Sequence, residues 1–420
     1  MSITPVTISK ILILRNILGS SGDDLISGTT GNDTIDGLAG NDTLYGDTGS
    51  TLTSTGGNDT LNGGDGDDKL FGDAYTIGTG GTGGSDYLYG DAGNDVLYGD
   101  AQHLTFNAHG GRDFLYADSF SLSFGSWTDQ LYGDAFDMTG TSVGGDDHLY
   151  DTYYNARADA YGDAYSMSGN TTGGNDNIQG WAQTSHVYGD AYTMQGADTG
   201  SMMRGGDDVI DFRSRNGAAY GDAEQLQGYV QCGNDTIVAH ANVSLFGVYG
   251  ATLVGDGENA AGLGIYGGDD TLTGDVGNDT IVGDFQSNGN TTHCGSDKIT
   301  GGAGNDDLWG DNQVMAGTVY SGADTFFFAP GSGHDTIHDF DQGSSIIQDP
   351  SSGTRFNHAE GDRIDVSAYG LNATFGNGGI TLSDNPGGVT VYFGPQSAPD
   401  YVTLAGVRAQ DLTLSDFIFQ

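Results

Sequence analysis

Aspartate recurs in this sequence at a spacing that could hold cations. Between Gly28 and Asp47 the chain reads GTTGNDTIDGLAGNDTLYGD, and Gly-Asn-Asp-Thr appears twice, at Gly31–Thr34 and Gly40–Thr43. An apolar residue follows each aspartate by two, Ile35 and then Leu44. A template G-G-x-G-x-D-x-U-x, with U apolar, fits Gly28–Asp36, Gly37–Tyr45, Gly63–Phe71, Gly90–Tyr98, Gly274–Val282 and Gly301–Trp309. Each position has a physical reason. Glycine enters left-handed turns that other residues avoid. The x-U-x triplet makes a short strand with U pointing inward. The acid stands where turn meets strand, facing the same turn of the next coil. Calcium is a hard cation that takes about six to eight oxygen ligands, and stacked carboxylates with turn carbonyls would supply them.

These acids need elements that stack them. Between the short copies lie longer ones: Gly72–Tyr89, Gly99–Tyr116, Gly133–Tyr150, Gly162–Gln179, Gly221–Val238 and Gly283–Thr300, each of 18 residues. Most begin Gly-Asp-Ala and end close to G-G-x-D-x-U-x. The inserted half usually carries an apolar residue five after its first glycine: Ile77, Leu104, Met138, Met167, Met194, Leu226 and Met315. Short and long repeats alternate from Gly37 to Phe328, so two repeats make one coil. Odd and even repeats then lie on opposite edges, and the insertions project from one edge, as flaps or as an added strand per coil. Ala117–Tyr132, at 16 residues, looks inserted although it falls in the odd series. The expected fold class is all-β: a parallel β-roll or β-helix solenoid of nonapeptide repeats with capping ends. About eleven coils at strand spacing give a stack of roughly 50 Å. The expected organisation is an N-terminal cap over 1–18, with Ile8, Ile11, Ile13 and Ile17 closing the first coil, the repeat array over 19–328, and a C-terminal region over 329–420.

The template nominates Asp24, Asp33, Asp42, Asp59, Asp68, Asp86, Asp95, Asp113, Asp147, Asp176, Asp208, Asp235, Asp270, Asp279, Asp297, Asp306, Asp324 and Asp335 as metal ligands. The middle odd repeats, Asp151–Tyr161, Gly180–Tyr188, Phe212–Tyr220 and Ala239–Tyr249, have no aspartate at the sixth position. Their even neighbours keep Asp147, Asp176, Asp208, Asp235 and Asp270. Calcium is therefore expected along most of the even edge, and on the odd edge only near its two ends.

Composition agrees. There are 57 acids against 12 bases, a net charge of -45, which disfavours nucleic acid and anionic membrane as partners. Glycine, at 75, lacks the every-third-residue period of collagen, and proline is only 6. The 22 tyrosines and 18 phenylalanines argue for a folded chain whose folding waits on neutralisation of its acids. Carboxylates one coil apart, about 5 Å, repel by roughly 1 kcal/mol in water and by several in a lower dielectric. Many such pairs exceed a domain's roughly 5–15 kcal/mol of net stability. No stretch approaches the roughly 20 apolar residues of a membrane helix, and the N-terminus lacks the apolar core of a cleaved export signal.

The repeats resemble those of the RTX (repeats-in-toxin) calcium-dependent β-rolls, over about Gly19 to Phe328. The segments GSGHDTIHDF (Gly331–Phe340) and GDRIDVSAYG (Gly361–Gly370) look like the C-terminal module of serralysin-type secreted proteases, and the final LTLSDFIFQ resembles its uncleaved secretion signal. The intervening SSIIQDPSSGTRFNHAE (Ser344–Glu360) departs from that module. The resemblance implies export by a type I ATP-driven exporter, calcium as cofactor and an extracellular location. It implies no protease here, since H-E-x-x-H is absent from the sequence.

Other features have plainer readings. The last position of the odd repeats is aromatic at Tyr45, Phe71, Tyr98, Tyr132, Tyr161, Tyr188, Tyr220, Tyr249 and Trp309, interrupted by Val282. If exposed, this ladder would bind an extracellular polysaccharide or surface partner; packing beneath the insertions is the favoured reading. Cys232 and Cys294 each replace a glycine before G-x-D, two coils apart, beyond the roughly 7 Å reach of a disulfide, so free thiols are expected. His334 and His338 lie in a turn–strand segment, where their spacing has no zinc-site meaning. The sequence contains no G-x-S-x-G or phosphate loop. The expectation is a non-enzymatic secreted calcium-binding protein with an adhesion, matrix or interaction role. A polysaccharide-binding module, an enzyme with an unrecognised site and a membrane-active protein are the alternatives.

Overall fold

The structure, a computed structural model, describes residues 15–118, 127–151, 157–197, 202–214, 216–240, 249–262, 264–314, 316–340, 361–395 and 399–419. Ile8, Ile11, Ile13, Met315, the Ser344–Glu360 segment and much of the Ala117–Tyr132 insertion lie outside them. Among the described residues the chain winds through stacked parallel sheets of 14, 15, 10 and 5 strands. The 14-stranded sheet holds the even repeats and the 15-stranded sheet the odd ones.

One coil shows the plan. Thr128–Tyr132 lies in the odd sheet, Ala135–Gly140 in the 10-stranded third sheet and His148–Tyr150 in the even sheet. On the next coil they pair in parallel with Arg157–Tyr161, Ala164–Gly169 and Asn177–Gly180. The insertions are thus an added strand per coil. From Met203 onward a fourth sheet runs from Met203–Arg204 through Tyr229–Gln231, Gly264–Tyr266 and Thr291–His293 to Thr318–Tyr320.

The core is a set of columns, because identical repeat positions stack. Ile35, Leu61, Leu88, Leu115, Leu149 and Ile178 from the even strands meet Leu44, Leu70, Leu97, Leu131 and Val187 from the odd strands, all fully buried. These are the U residues of the template. A second core lies behind the third sheet, where Ala135 and Met138 stack on Ala164 and Met167, then on Ala191 and Met194. The aromatic ladder is a third: Tyr98, Tyr132, Tyr161 and Tyr188 are 2–7% exposed and stack at 5.0 Å. The ladder packs inside, under the insertions. Tyr249 does not belong to it, being 43% exposed. Its expected place is taken by Val254, which pairs with Tyr220 below and Val282 above. The odd strand of that coil is Thr252–Val254, which turns the apolar Leu253 inward.

Close stacking leaves no room for side chains at the turns. At Gly145 a Cβ would lie 1.4 Å from the Gly111 carbonyl oxygen, and the same clash recurs at Gly174 over Gly145. Gly145→Ala must push adjacent coils away from each other, an overpacking expected to cost about 3 kcal/mol or more. An unchanged urea midpoint of the calcium-loaded variant would contradict this packing.

The solenoid ends differ from its middle. Arg15–Leu18 pairs with Asp33–Asp36 as the first even strand. At the other end, Tyr401–Ala405 lies parallel to His334–Ile337, and Gly388–Tyr392 and Thr381–Asn385 continue that sheet antiparallel. Phe417–Ile418 pairs with Ile364–Asp365 as the last even strand. Ile364, Val389, Val391, Val402 and Leu404 cover the core there.

Candidate metal centres

On the even edge each aspartate grips the one below. The Asp59 carboxylate accepts the Asp33 backbone N–H through Oδ1 at 2.7 Å, Asp86 accepts from Asp59 at 2.6 Å, and Asp113 from Asp86 at 2.7 Å. The column continues through Asp147, Asp176, Asp208, Asp235, Asp270, Asp297 and Asp324. Each nominated even aspartate from Asp59 onward is buried, and its Oδ2 has no hydrogen-bond partner. A buried charge without a partner is costly, and an oxygen left open on every coil calls for a cation.

The odd edge repeats this only at its ends. Asp42, Asp68 and Asp95 accept from Asp24, Asp42 and Asp68, and Asp306 and Asp335 accept from Asp279 and Asp306. Between them the same register position holds Ala158, Ser185 and Gly217. There Asp159 finds its partners in the protein's own side chains. Arg157 Nη2 lies 2.8 Å from Asp159 Oδ2, and His186 Nδ1 3.2 Å from its Oδ1. Burial pushes the Asp159 carboxyl up, but the hydrogen bonds from His186 and Arg157 outweigh it and its pKa is lowered. Asp24, Asp33 and Asp279 also differ from the rest. Their second oxygens accept from Ser20 N, Thr29 N and Asp275 N respectively.

The structure adds candidate ligands that the template omits. Asp129 and Asp362 extend the two columns, accepting from Asp95 N and Asp324 N. A second even-edge column runs through the aspartates of Gly-Asp-Ala and its variants: Asp47, Asp73, Asp100, Asp134, Asp163, Asp190, Asp222, Asp256, Asp284 and Asp311, all buried. Each binds the backbone N–H of the Gly-x-Asp glycine on its own coil, as Asp73 does with Gly84 at 2.8 Å and Asp163 with Gly174 at 2.9 Å. The two columns interleave, so that Asp73, Asp86 and Asp100 bring one oxygen each within 4.8 Å of one another. The signal in sequence was the recurrence of Gly-Asp-Ala at most insertions. It reads as a boundary until the third sheet folds it back onto the edge.

Electrostatics follow the geometry. Burial, then neighbouring carboxylates, raise Asp86, Asp113 and Asp147 well above the usual carboxylate range. Burial pushes Asp59 up to about 8 and Asp95 to about 9. In the second column burial raises Asp100 and Asp163 to about 6. Ionising these groups together requires a positive charge among them. Away from Cys232 and Cys294 the donor set is all oxygen, which fits calcium.

The outer rim avoids this repulsion. Asp146, Asn175, Asp207, Asn234 and Asp269 alternate acid and amide, each carbonyl or carboxylate oxygen accepting the next backbone N–H. His338 stacks on Trp309 and bonds Asp307, while exposed His334 bonds the Pro399 carbonyl. Cys232 and Cys294 are free thiols. Among the described residues no helix is long and apolar enough to cross a membrane.

The family model of the RTX calcium-binding nonapeptide repeat (4 copies) matches residues 18–52, 50–74, 80–115, 266–288 and 295–313. The matched stretches fall toward the two ends of the solenoid, where both edges carry aspartate. Together with the stacked parallel sheets they support an RTX-type repeat protein, and repeats of this kind bind calcium. No curated protein matches the chain.

Proposed function

We propose that this RTX-type repeat protein is a secreted, non-enzymatic calcium-binding protein whose folding is driven by extracellular calcium, with an adhesion, matrix or interaction role. The observation that carries this reading is the even-edge column from Asp59 to Asp324, in which every aspartate is buried and every Oδ2 lacks a protein partner. These residues, with Asp47 through Asp311 of the second column, would hold the ions there. Asp42, Asp68 and Asp95, and Asp306 and Asp335, would hold them at the ends of the odd edge. Because cation binding is then folding free energy, the chain stays open where calcium is scarce and closes where it reaches roughly 0.1–1 mM.

Export through a type I exporter belongs to the same reading, with the C-terminal region as cap and signal. In the folded chain Phe417 of that tail is buried in the last even strand, so the signal would be read before the cap closes. Co-expression with such an exporter tests this: the chain is expected in the medium, and deletion of 412–420 is expected to retain it in the cell. The ladder offers little to a polysaccharide, because its rings are buried and face one another.

Equilibrium calcium binding tests the main reading. Cooperative uptake of many ions per chain is expected, with no uptake of magnesium at equal concentration. One or two independent ions would overturn it.

A further inference from the structure

The two thiols stand at a position that is glycine on the coil below each of them, while the coil above carries Gly267 over Cys232 and Ser321 over Cys294. Three residues before the even-edge aspartate, Gly205 and Gly267 occupy the place of Cys232 and Cys294. At Gly205 a Cβ would lie 1.8 Å from Asp222 Oδ1 and 2.5 Å from Asp190 Oδ2. At Gly267 it would lie 1.9 Å from Asp284 Oδ1 and 2.6 Å from Asp256 Oδ2. A side chain here points between two consecutive aspartates of the second column. Cysteine places its sulfur there: Cys232 Sγ and one oxygen each of Asp222 and Asp256 lie within 4.8 Å of one another, as do Cys294 Sγ and oxygens of Asp284 and Asp311. Asp222, Asp256 and Asp284 are fully buried, and their Oδ2 atoms have no N–H or O–H donor.

We propose that Cys232 with Asp222 and Asp256, and Cys294 with Asp284 and Asp311, form two thiolate–carboxylate sites for a thiophilic divalent cation, Zn2+ or Cd2+, within an array that is otherwise all oxygen. Calcium seeks oxygen ligands, whereas zinc takes sulfur at about 2.3 Å and carboxylate oxygen at about 2.0–2.2 Å. Thiolate shifts a site's preference toward softer ions. Each sulfur serves its own site. The strand Gly264–Tyr266 separates Tyr229–Gln231 from Thr291–His293 in the fourth sheet, so the two thiols do not meet. Binding releases the thiol proton to solvent and forms the metal–sulfur bond, with no redox partner needed.

The test uses the full chain, refolded from the ion-free state in calcium with cadmium added. The sulfur-to-cadmium charge-transfer absorption is expected to saturate at about two equivalents per chain, one per cluster, and to persist in excess calcium. Cys232→Gly installs the residue of both flanking coils and Cys294→Gly that of the coil below it, Gly267, so the fold is retained. Each is expected to halve the absorption, and the double variant to abolish it. Far-UV circular dichroism of the same samples reads folding separately. A chain that folds in calcium without this absorption, or that loses it to calcium, overturns the thiolate sites and leaves the calcium reading standing.

Discussion

Asp176→Ala with Asp208→Ala is expected to abolish folding at a calcium concentration that folds the parent chain. The two carboxylates are consecutive members of the first even-edge column, with Asp176 N–H donating to Asp208 Oδ1 at 2.6 Å. Removing the Asp176 carboxylate also strands the Asp147 N–H, which donates to it at 2.7 Å. A buried donor without a partner costs about 1–3 kcal/mol. Each lost ion forfeits about 2.7 kcal/mol when calcium stands at 100 times its Kd. Two lost ions and two stranded donors together approach the whole net stability of a domain, roughly 5–15 kcal/mol. The control is Asp207→Asn, which also removes one negative charge beside Asp208 but on the exposed rim. It is expected to change stability by less than about 0.5 kcal/mol. Calcium midpoints followed by far-UV circular dichroism check both, and equal effects would mean that the column does not hold ions.

The second large effect is an exchange of protons for calcium. In the unfolded chain an aspartate titrates near pH 3.9, roughly. In the folded, ion-free array burial raises Asp68, Asp100 and Asp163 to about 6, Asp59 to about 8 and Asp95 to about 9. A raised carboxyl pKa means that the folded state binds more protons. Its stabilisation is fully present below the unfolded value and is lost as pH rises through the folded values. Ion-free protein is therefore expected to gain β structure on acidification toward about pH 4 and to lose it between about pH 6 and 9. Calcium needs the ionised form, so its affinity runs the other way and weakens as pH falls. Circular dichroism of dialysed protein across this range checks the sign. Ion-free β structure that grows with rising pH would contradict it.

Much of the site was legible because each of its components repeats. The inward Ile35, Leu44, Leu61 and Leu70, the even-edge aspartates and the loss of acid from the middle odd repeats follow from one template laid along the chain. The choice between flaps and an added strand was not legible, for a definite reason. Strands show themselves by alternation, but Ala135 and Met138, or Ala164 and Met167, are buried three residues apart with two half-buried residues between. That spacing hides the strand, and with it the fold-back that turns Asp134 and Asp163 into a second column. The ladder failed at Tyr249 because the repeat there is longer than its neighbours. Val254-Gly255-Asp256, matching Tyr220-Gly221-Asp222, was the better anchor. The thiols read as inert replacements of glycine until the second column supplied their neighbours.

On the proposed function, calcium holds these buried aspartate columns folded. Far-UV circular dichroism of the purified chain at neutral pH, stripped of ions and titrated with calcium, tests it most directly, with magnesium as control. The predicted result is a cooperative gain of β signal at roughly 0.1–1 mM calcium and none in magnesium. Full β structure in the ion-free chain, unchanged by calcium, would contradict it.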